Sequence, residues 1–248
     1  MKIAVLRLAV GIIGNAATLS LFTVPILTFA RVIRKKSTEN FSCFPYIVSL
    51  LCCLVYTWYA SPFVSHGWEN LPVVTIDSAG ILLESSFIVI YIWFAPRREK
   101  VKATAMTVLV LFFSALVVVV SLLAYHDRRH RKLLVGCIGI VSAALMYGSP
   151  LVAVKTVIKT KSVEFMPFYL SLFSFFSSFL WVVFGLLNKD FFIASPNMVG
   201  CVLAVLQLAL YFTYSKRGAE EEHKSLDIEK NEGKIKTGLQ NDHDNVVP

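Results

Sequence analysis

The chain has 248 residues, of which 56% are hydrophobic and only 16% are charged. Soluble globular domains are about 45–50% apolar and about 25% charged, so this composition argues against a soluble protein. The formal net charge of +8 is unevenly placed, because residues 215–248 hold six Lys/Arg and eight Asp/Glu whereas the first 214 residues carry a net charge of +10. We interpret 215–248 as a disordered tail, since it has too few apolar residues to bury.

Seven apolar stretches follow one another along the rest of the chain, each close to the ~20 residues that a bilayer span requires. The first contains Asn15 and Pro25 and is longer than the core of a signal peptide, so we predict that it is retained. We therefore predict an all-α membrane protein with seven transmembrane helices. In chain order the predicted spans are 8–30, 43–65, 71–95, 103–125, 133–154, 166–187 and 191–214.

Basic residues in the loops predict the orientation. Eleven Lys/Arg lie in the three loops that share a side with the tail, and seven lie on the opposite side together with the N-terminal segment. By the positive-inside rule, the N-terminus is expected outside and the C-terminus in the cytosol. The basic loop 126–132 falls on the outer side and is interpreted as a solvated connector. A nucleic-acid partner is not expected, since it would require a far larger basic surface.

The first three spans repeat as the last three. Residues 10–25, "VGIIGNAATLSLFTVP", match residues 135–150, "VGCIGIVSAALMYGSP", at a constant offset of 125. Farther along, "IRKKSTENFSCFPY" resembles "IKTKSVEFMPFY", and "TIDSAG" aligns with "SPNMVG". The last alignment pairs Asp77 with Asn197.

The repeat predicts the domain organisation. The unpaired fourth span returns the second copy to the orientation of the first, giving parallel repeats about an axis along the membrane normal. Transporters built in this way place the substrate site near the midplane between the halves. The predicted division is 1–96 for the first three-helix repeat, 97–132 for linker helix 4, 133–214 for the second repeat and 215–248 for the cytosolic tail.

Four prolines occur as matched pairs in the two halves, Pro25 with Pro150 and Pro45 with Pro167. A proline inside a helix removes one hydrogen bond and kinks the helix. We therefore expect two bendable helices in each half, which suits a motion between outward-open and inward-open states.

Asp77 and Glu84 are the two acidic residues within the predicted spans. A charged acid at the bilayer centre costs about 2.5–3.5 kcal/mol on insertion scales, so each must face a wet cavity or a partner. One hypothesis is that Asp77 titrates during transport and makes flux pH-sensitive. The alternative is a permanently hydrogen-bonded carboxylate, or a protonated mimic of asparagine. Glu84 is interpreted as a snorkelling or interhelical hydrogen-bonding group.

The sequence resembles the SWEET sugar transporters of plants over about residues 5–215. The resemblance is carried by "GNAATLSLFTVPILTF", "KKSTENFSCFPY", "YTWYASPFV", "KTKSVEFMPFYLSLFSF" and "SPNMVGCVLAVLQLALYF". It implies a 3+1+3 arrangement of helices and a bidirectional facilitative carrier of monosaccharides, with disaccharides as a further substrate class and glucose or another hexose as the expected sugar. Homo- or hetero-oligomers are expected, in the plasma membrane or alternatively the vacuolar membrane. No cofactor or metal is expected, since the cysteines have no metal-ligand spacing with histidine.

The resemblance also implies roles for particular residues. The substrate-binding residues would be Asp77, Asn197, Trp181 and Tyr56. The four prolines, Pro25, Pro45, Pro150 and Pro167, would form the cytosolic-side hinge and gate. An outer gate would involve Tyr59 and Asp190.

Two residues depart from the pattern that the resemblance implies. Asp77 stands where the family usually has Asn, which puts the chemistry of the pocket in question. Ala60 stands where the family commonly has Gly, which adds a methyl group near the outer gate.

Three other functions fit the same residues less well. A carrier of another small solute such as an amino acid, of the PQ-loop type, would have a glutamine after the key prolines, whereas Ile, Tyr, Leu and Phe follow them here. A seven-span receptor has no reason to show the internal repeat. An enzyme is not expected, because the sequence contains no metal cluster, nucleophile elbow or phosphate loop.

Overall fold

The computed structural model describes residues 2–39, 41–163 and 166–215, so nearly all of the predicted tail lies outside the described residues. The described part of the chain is helical, with short connecting turns. Its helices are α1 (Lys2–Thr23), α2 (Pro25–Lys35), α3 (Phe44–Ala60), α4 (Leu71–Phe94), α5 (Arg97–Ala124), α6 (Arg128–Met146), α7 (Gly148–Thr160), α8 (Phe168–Leu187) and α9 (Phe191–Ser215).

These helices form seven spans. α1 continues into α2 as one apolar segment of 34 residues, and α6 continues into α7 as one of 33. Together with α4, α5, α8 and α9 they give six segments long and apolar enough to cross a membrane, and the shorter apolar α3 supplies the seventh. The predicted all-α architecture with seven spans is confirmed.

Two of the four prolines break a span and two begin one. Pro25 starts α2 directly after the break at Val24, and Pro150 lies in the first turn of α7, after the break at Tyr147. Pro45 lies in the first turn of α3 and Pro167 precedes α8 as its N-cap. The expectation of a bend at all four prolines is therefore wrong for the latter pair. The first turn of a helix tolerates proline, because the missing N–H has no acceptor there.

The bundle has two ends, a proline end and a tyrosine end. The proline end holds the described parts of 36–43 and 161–167 and the turn at 95–96, and Pro45 and Pro167 lie beside these segments. The tyrosine end holds the segment 61–70 and the turns at 125–127 and 188–190, next to Tyr59. α3 runs from the first end to the second.

The halves meet through two equivalent helix pairs, α1 against α8 and α3 against α6. A Cβ atom added to Gly14 would lie 3.4 Å from the Trp181 ring, and one added to Gly139 would lie 3.1 Å from the Tyr56 ring. Both the glycines and the aromatic residues are 125 positions apart. Small residues let membrane helices approach closely, so the repeat positions Tyr56 and Trp181 as counterparts on the two sides of the interface.

Candidate substrate cavity

A cavity of about 830 Å³ lies between the two halves. All four predicted substrate-binding residues line it, namely Asp77, Asn197, Trp181 and Tyr56. It is also lined by Pro25, Pro45 and Pro150, and by Ser42, which is exposed in the loop 36–43. The cavity therefore opens at the proline end. Pro167 and the predicted outer-gate residues Tyr59 and Asp190 are not part of its wall.

Trp181 forms one aromatic wall of the cavity and is fixed by a polar contact across the helix interface. Its Nε1 donates a hydrogen bond to Thr18 Oγ1 at 2.8 Å, and Thr18 Oγ1 lies 2.8 Å from Ser177 Oγ. The indole ring also packs edge-on against Phe184. Because its N–H is engaged by the protein, Trp181 offers the cavity its ring rather than a hydrogen bond.

Tyr56 forms the corresponding wall in the first half. Its hydroxyl donates to the backbone carbonyl of Phe192 at 3.0 Å, in the first turn of α9. This bond ties α3 to α9, as the bond between Trp181 and Thr18 ties α8 to α1. The two counterparts therefore face the cavity as apolar surfaces with satisfied polar tips, which suits the apolar ring face of a sugar.

The hydrogen-bonding groups of the cavity come from Asp77 on α4 and Asn197 on α9. Asn197 Nδ2 donates to the carbonyl of Ile193 at 2.8 Å, and within the described part of the chain its Oδ1 accepts no hydrogen bond. Asp77 lies beside the thiol of Cys53 and takes part in no ion pair among the described residues. The pair thus presents an amide that donates and accepts, and a carboxylate that accepts when ionised.

Glu84 lines the cavity on the same helix as Asp77, nearer to the proline end. Its Oε1 accepts a hydrogen bond from Ser49 of α3 at 2.8 Å. The predicted interhelical hydrogen bond is therefore present. Its Oε2 is buried and has no hydrogen-bond partner among the described residues.

The tyrosine end is closed by a contact between the halves. The Tyr59 hydroxyl donates to Asp190 Oδ1 at 2.6 Å, and Lys132 Nζ lies 2.6 Å from Asp190 Oδ2. The Lys132 ammonium also lies 5.5 Å from the centre of the Tyr59 ring. Tyr59 and Asp190 are only 0% and 3% exposed, so this contact is shielded from solvent.

A second polar contact closes the same end through amides. Arg7 donates to Asn188 Oδ1 at 2.7 Å, and Asn188 Nδ2 donates to Asn70 Oδ1 at 3.2 Å. Arg7 stands 125 positions before Lys132, and Asn70 stands 120 before Asp190, which are the offsets of the repeat. α1 and α6 thus each supply a basic residue to the closure: Lys132 of α6 forms an ion pair with Asp190, and Arg7 of α1 binds the amide of Asn188.

The loop 126–132 shows what the sequence interpretation missed. The expectation of a solvated connector is wrong for Lys132, described above, and for Arg131. The Arg131 guanidinium donates to the carbonyls of Ser121, Phe63 and Tyr125 at 3.1, 2.7 and 2.8 Å. The signal that could have identified Lys132 is its repeat relation to Arg7.

The proline end carries an exposed ion-pair cluster. Glu39 lies 3.2 Å from Arg31 and 2.5 Å from Lys35. The hydrogen bond from the Lys35 ammonium holds the pKa of Glu39 below its usual value. Its repeat counterpart, Glu164, lies outside the described residues.

Comparison with known proteins gives a consistent assignment. A family model described as "Sugar efflux transporter for intercellular exchange" matches residues 8–99 and 133–219, on the two sides of α5. The chain is 57% identical over 212 residues to the bidirectional sugar transporter SWEET3 of Arabidopsis thaliana, covering 86% of this chain and 81% of the relative. It is 56% identical over 228 residues to SWEET3b of Oryza sativa subsp. japonica, covering 92% and 90%.

A solved structure of a eukaryotic SWEET transporter has the same fold. It superposes with a TM-score of 0.83 at 40% sequence identity, covering 87% of this chain and 100% of the solved chain. The described architecture, the repeat and the relatives agree, and the chain belongs to the SWEET family of transporters.

Proposed function

We propose that this chain carries sugars across a membrane in both directions, by exposing one central cavity alternately to the two sides. The observation that carries the proposal is the cavity between the repeats. It opens at the proline end, and the Tyr59–Asp190 contact closes the bundle at the tyrosine end. Relatives named bidirectional sugar transporters support the substrate class. Their family is one of transporters rather than enzymes or receptors.

The cavity has the size and lining that a sugar requires. Its volume of about 830 Å³ falls within the range of about 300–1,000 Å³ typical of small-molecule sites. In our proposal Trp181 and Tyr56 pack on the apolar face of the sugar ring, while Asp77 and Asn197 bind its hydroxyls. A monosaccharide such as glucose is the proposed main substrate.

The opposite state requires the halves to separate at the tyrosine end. The Tyr59–Asp190 hydrogen bond and the Lys132–Asp190 ion pair would open, and the residues around Pro25, Pro45, Pro150 and Pro167 would close. The breaks at Val24 and Tyr147 lie in the two spans that continue past the cavity to the proline end, which supports these positions as the hinges.

The repeats 1–96 and 133–214 act as the two moving halves, with 97–132 as their connector. The distribution of basic residues supports a cytosolic proline end and an outward tyrosine end. The proposed location is the plasma membrane, and homo- or hetero-oligomers are the proposed assembly.

Uptake of labelled glucose and sucrose by cells that lack sugar transporters tests this function. We expect the wild type to take up glucose, and we expect Trp181→Ala to abolish most of the uptake because the cavity loses an aromatic wall. Phe179→Ala is the matched control, since Phe179 is half-exposed on the same helix and does not line the cavity. Absence of wild-type flux for both sugars at normal surface expression would overturn the proposal.

A further inference from the structure

The cavity wall carries acidic charge without basic charge. Among the described residues that line it, Asp77 and Glu84 are ionisable carboxylic acids, and none is Lys, Arg or His. Lys132 and Lys35, one near each end of the cavity, are already paired with Asp190 and Glu39. Within the described part of the chain, the cavity lining therefore holds no cation to balance either carboxylate.

Glu84 gives an independent sign that a donor is expected in this space. Glu84 is only 4% exposed, and its Oε2 has no hydrogen-bond partner among the described residues. A buried carboxylate oxygen without a donor is costly, and a mobile donor entering the cavity would remove this cost.

The two carboxylates are arranged along the direction of transport. They are seven residues apart on α4, which places them on nearly the same helix face and about 10 Å apart along its axis. The repeat counterparts on α9 are Asn197 and Ala204, which carry no charge. One wall of the cavity thus presents two successive acceptor groups, while the opposite wall is neutral.

A neutral sugar does not need this charge, because amide and hydroxyl groups can bind its hydroxyls. An ammonium group in place of one hydroxyl would donate up to three hydrogen bonds and form a charge-assisted contact with a carboxylate, about twice as strong as a neutral one. A phosphate or a sugar carboxylate would instead be repelled by the same wall.

We propose that the cavity selects its cargo by charge, so that this carrier also moves protonated amino sugars of the 2-amino-2-deoxyhexose class and turns away sugar phosphates and uronic acids. Asp77 binds the ammonium group at the centre of the cavity, and Glu84 binds it during passage between the centre and the proline end. This inference rests on the proposed sugar transport.

The test uses the full chain, purified and reconstituted into lipid vesicles, with equal potassium on both sides and valinomycin present to remove any membrane potential. Initial uptake rates are measured for glucose, glucosamine, N-acetylglucosamine and glucuronate at a pH where glucosamine is protonated. We expect glucosamine to enter at least as fast as glucose and glucuronate to enter at background rate. N-acetylglucosamine keeps the nitrogen but loses the charge, so it should lose the advantage.

Variants connect the preference to the two residues. In Asp77→Asn and Glu84→Gln, we expect the ratio of glucosamine to glucose uptake to fall about fivefold to tenfold, the size of a charge interaction in a wet cavity rather than in dry protein. Glu99→Gln removes the same charge from an exposed residue of α5 outside the cavity and should leave the ratio unchanged. Using the ratio separates selectivity from a general loss of active protein.

The possible results separate this inference from the function on which it rests. Glucose uptake without glucosamine uptake, or glucuronate uptake comparable to that of glucose, would overturn charge selection and leave sugar transport intact. A ratio that stays the same in both cavity variants would overturn the assignment to Asp77 and Glu84. Absence of uptake of every sugar would remove the proposed transport function and this inference with it.

Discussion

Asp77 is the residue whose chemistry departs most from the symmetry of the molecule. Its repeat counterpart is Asn197, and both line the same cavity. An amide at position 77 can donate and accept hydrogen bonds, whereas alanine can do neither. We therefore expect Asp77→Asn to transport glucose roughly tenfold faster than Asp77→Ala, a difference equivalent to about 1–1.5 kcal/mol or one hydrogen bond. Initial uptake rates normalised to the amount of protein in the membrane test this, and equal rates would contradict a sugar-binding role.

The same position tests the hypothesis that Asp77 titrates during transport. That hypothesis predicts that the glucose flux of the wild type and of Asp77→Asn will depend on pH in different ways. The measurement is uptake from mildly acidic to mildly alkaline pH in both proteins. Identical profiles would leave Asp77 either as a permanently hydrogen-bonded carboxylate or as a protonated mimic of asparagine.

Thr18 orients Trp181, because its hydroxyl accepts a hydrogen bond from the indole N–H. We do not expect this hydroxyl to bind the sugar. Thr18→Val keeps the shape of the side chain but leaves the indole N–H without its acceptor, which we expect to cost about 1 kcal/mol of unfolding free energy. In a Trp181→Phe background the N–H is absent, so the same change should cost much less. Thermal unfolding of the four purified proteins measures this coupling, and strictly additive losses would argue against it.

At the scale of helices, close approach at glycine packs α6 against α9 within the second half. A Cβ atom at Gly136 would lie 2.5 Å from the Phe192 ring, whereas one at Gly148 would meet no atom within 4 Å. For Gly136→Ala the overpacking cost of about 1–3 kcal/mol exceeds the 0.5–1 kcal/mol or so that alanine gains over glycine in a helix. We expect a lower melting temperature for Gly136→Ala. The control Gly148→Ala should show no decrease in melting temperature. A stable Gly136→Ala protein would show that α6 and α9 separate easily.

The contact at the tyrosine end predicts how the equilibrium between states responds to a single charge. Lys132→Met removes the ion pair to Asp190, which is worth about 1 kcal/mol because Lys132 is partly exposed. The outward-open population should therefore rise about fivefold. An impermeant thiol reagent added from the tyrosine side, acting on Val73→Cys in a cysteine-free background, reports this population. Lys102→Met is the control because Lys102 pairs with Glu99 on the exposed part of α5. Equal labelling rates in the two variants would contradict closure by Lys132.

Sequence patterns predicted the helices better than their ends. The seven spans, their order and the repeat follow from apolar length and from matched residues. The bends cannot be predicted in the same way. Pro45 and Pro167 begin a helix, whereas Pro25 and Pro150 follow an existing one, and the sequence does not show this difference. The role of Lys132 was also hidden, since a basic residue in a loop has the same appearance whether it is solvated or paired with a buried acid.

At the scale of the whole molecule, symmetry explains why the site could be predicted and where prediction ended. The repeat relates Tyr56 to Trp181 and Asp77 to Asn197, and all four line one cavity. The departures from symmetry could not be predicted, because they depend on contacts in the folded protein that a single sequence does not reveal. Asp190 binds both Tyr59 and Lys132, whereas its counterpart Asn70 binds an amide.

The central claim is that one cavity between two moving halves serves both sides of the membrane. The most direct measurement is counterflow in vesicles that contain the purified full chain, preloaded with unlabelled glucose and diluted into a trace of labelled glucose. A carrier that alternates between two states must bring labelled sugar in as unlabelled sugar leaves, so labelled glucose should rise transiently above its equilibrium level and then decline. A rise to the equilibrium level without an overshoot would indicate a continuous pore and contradict the account.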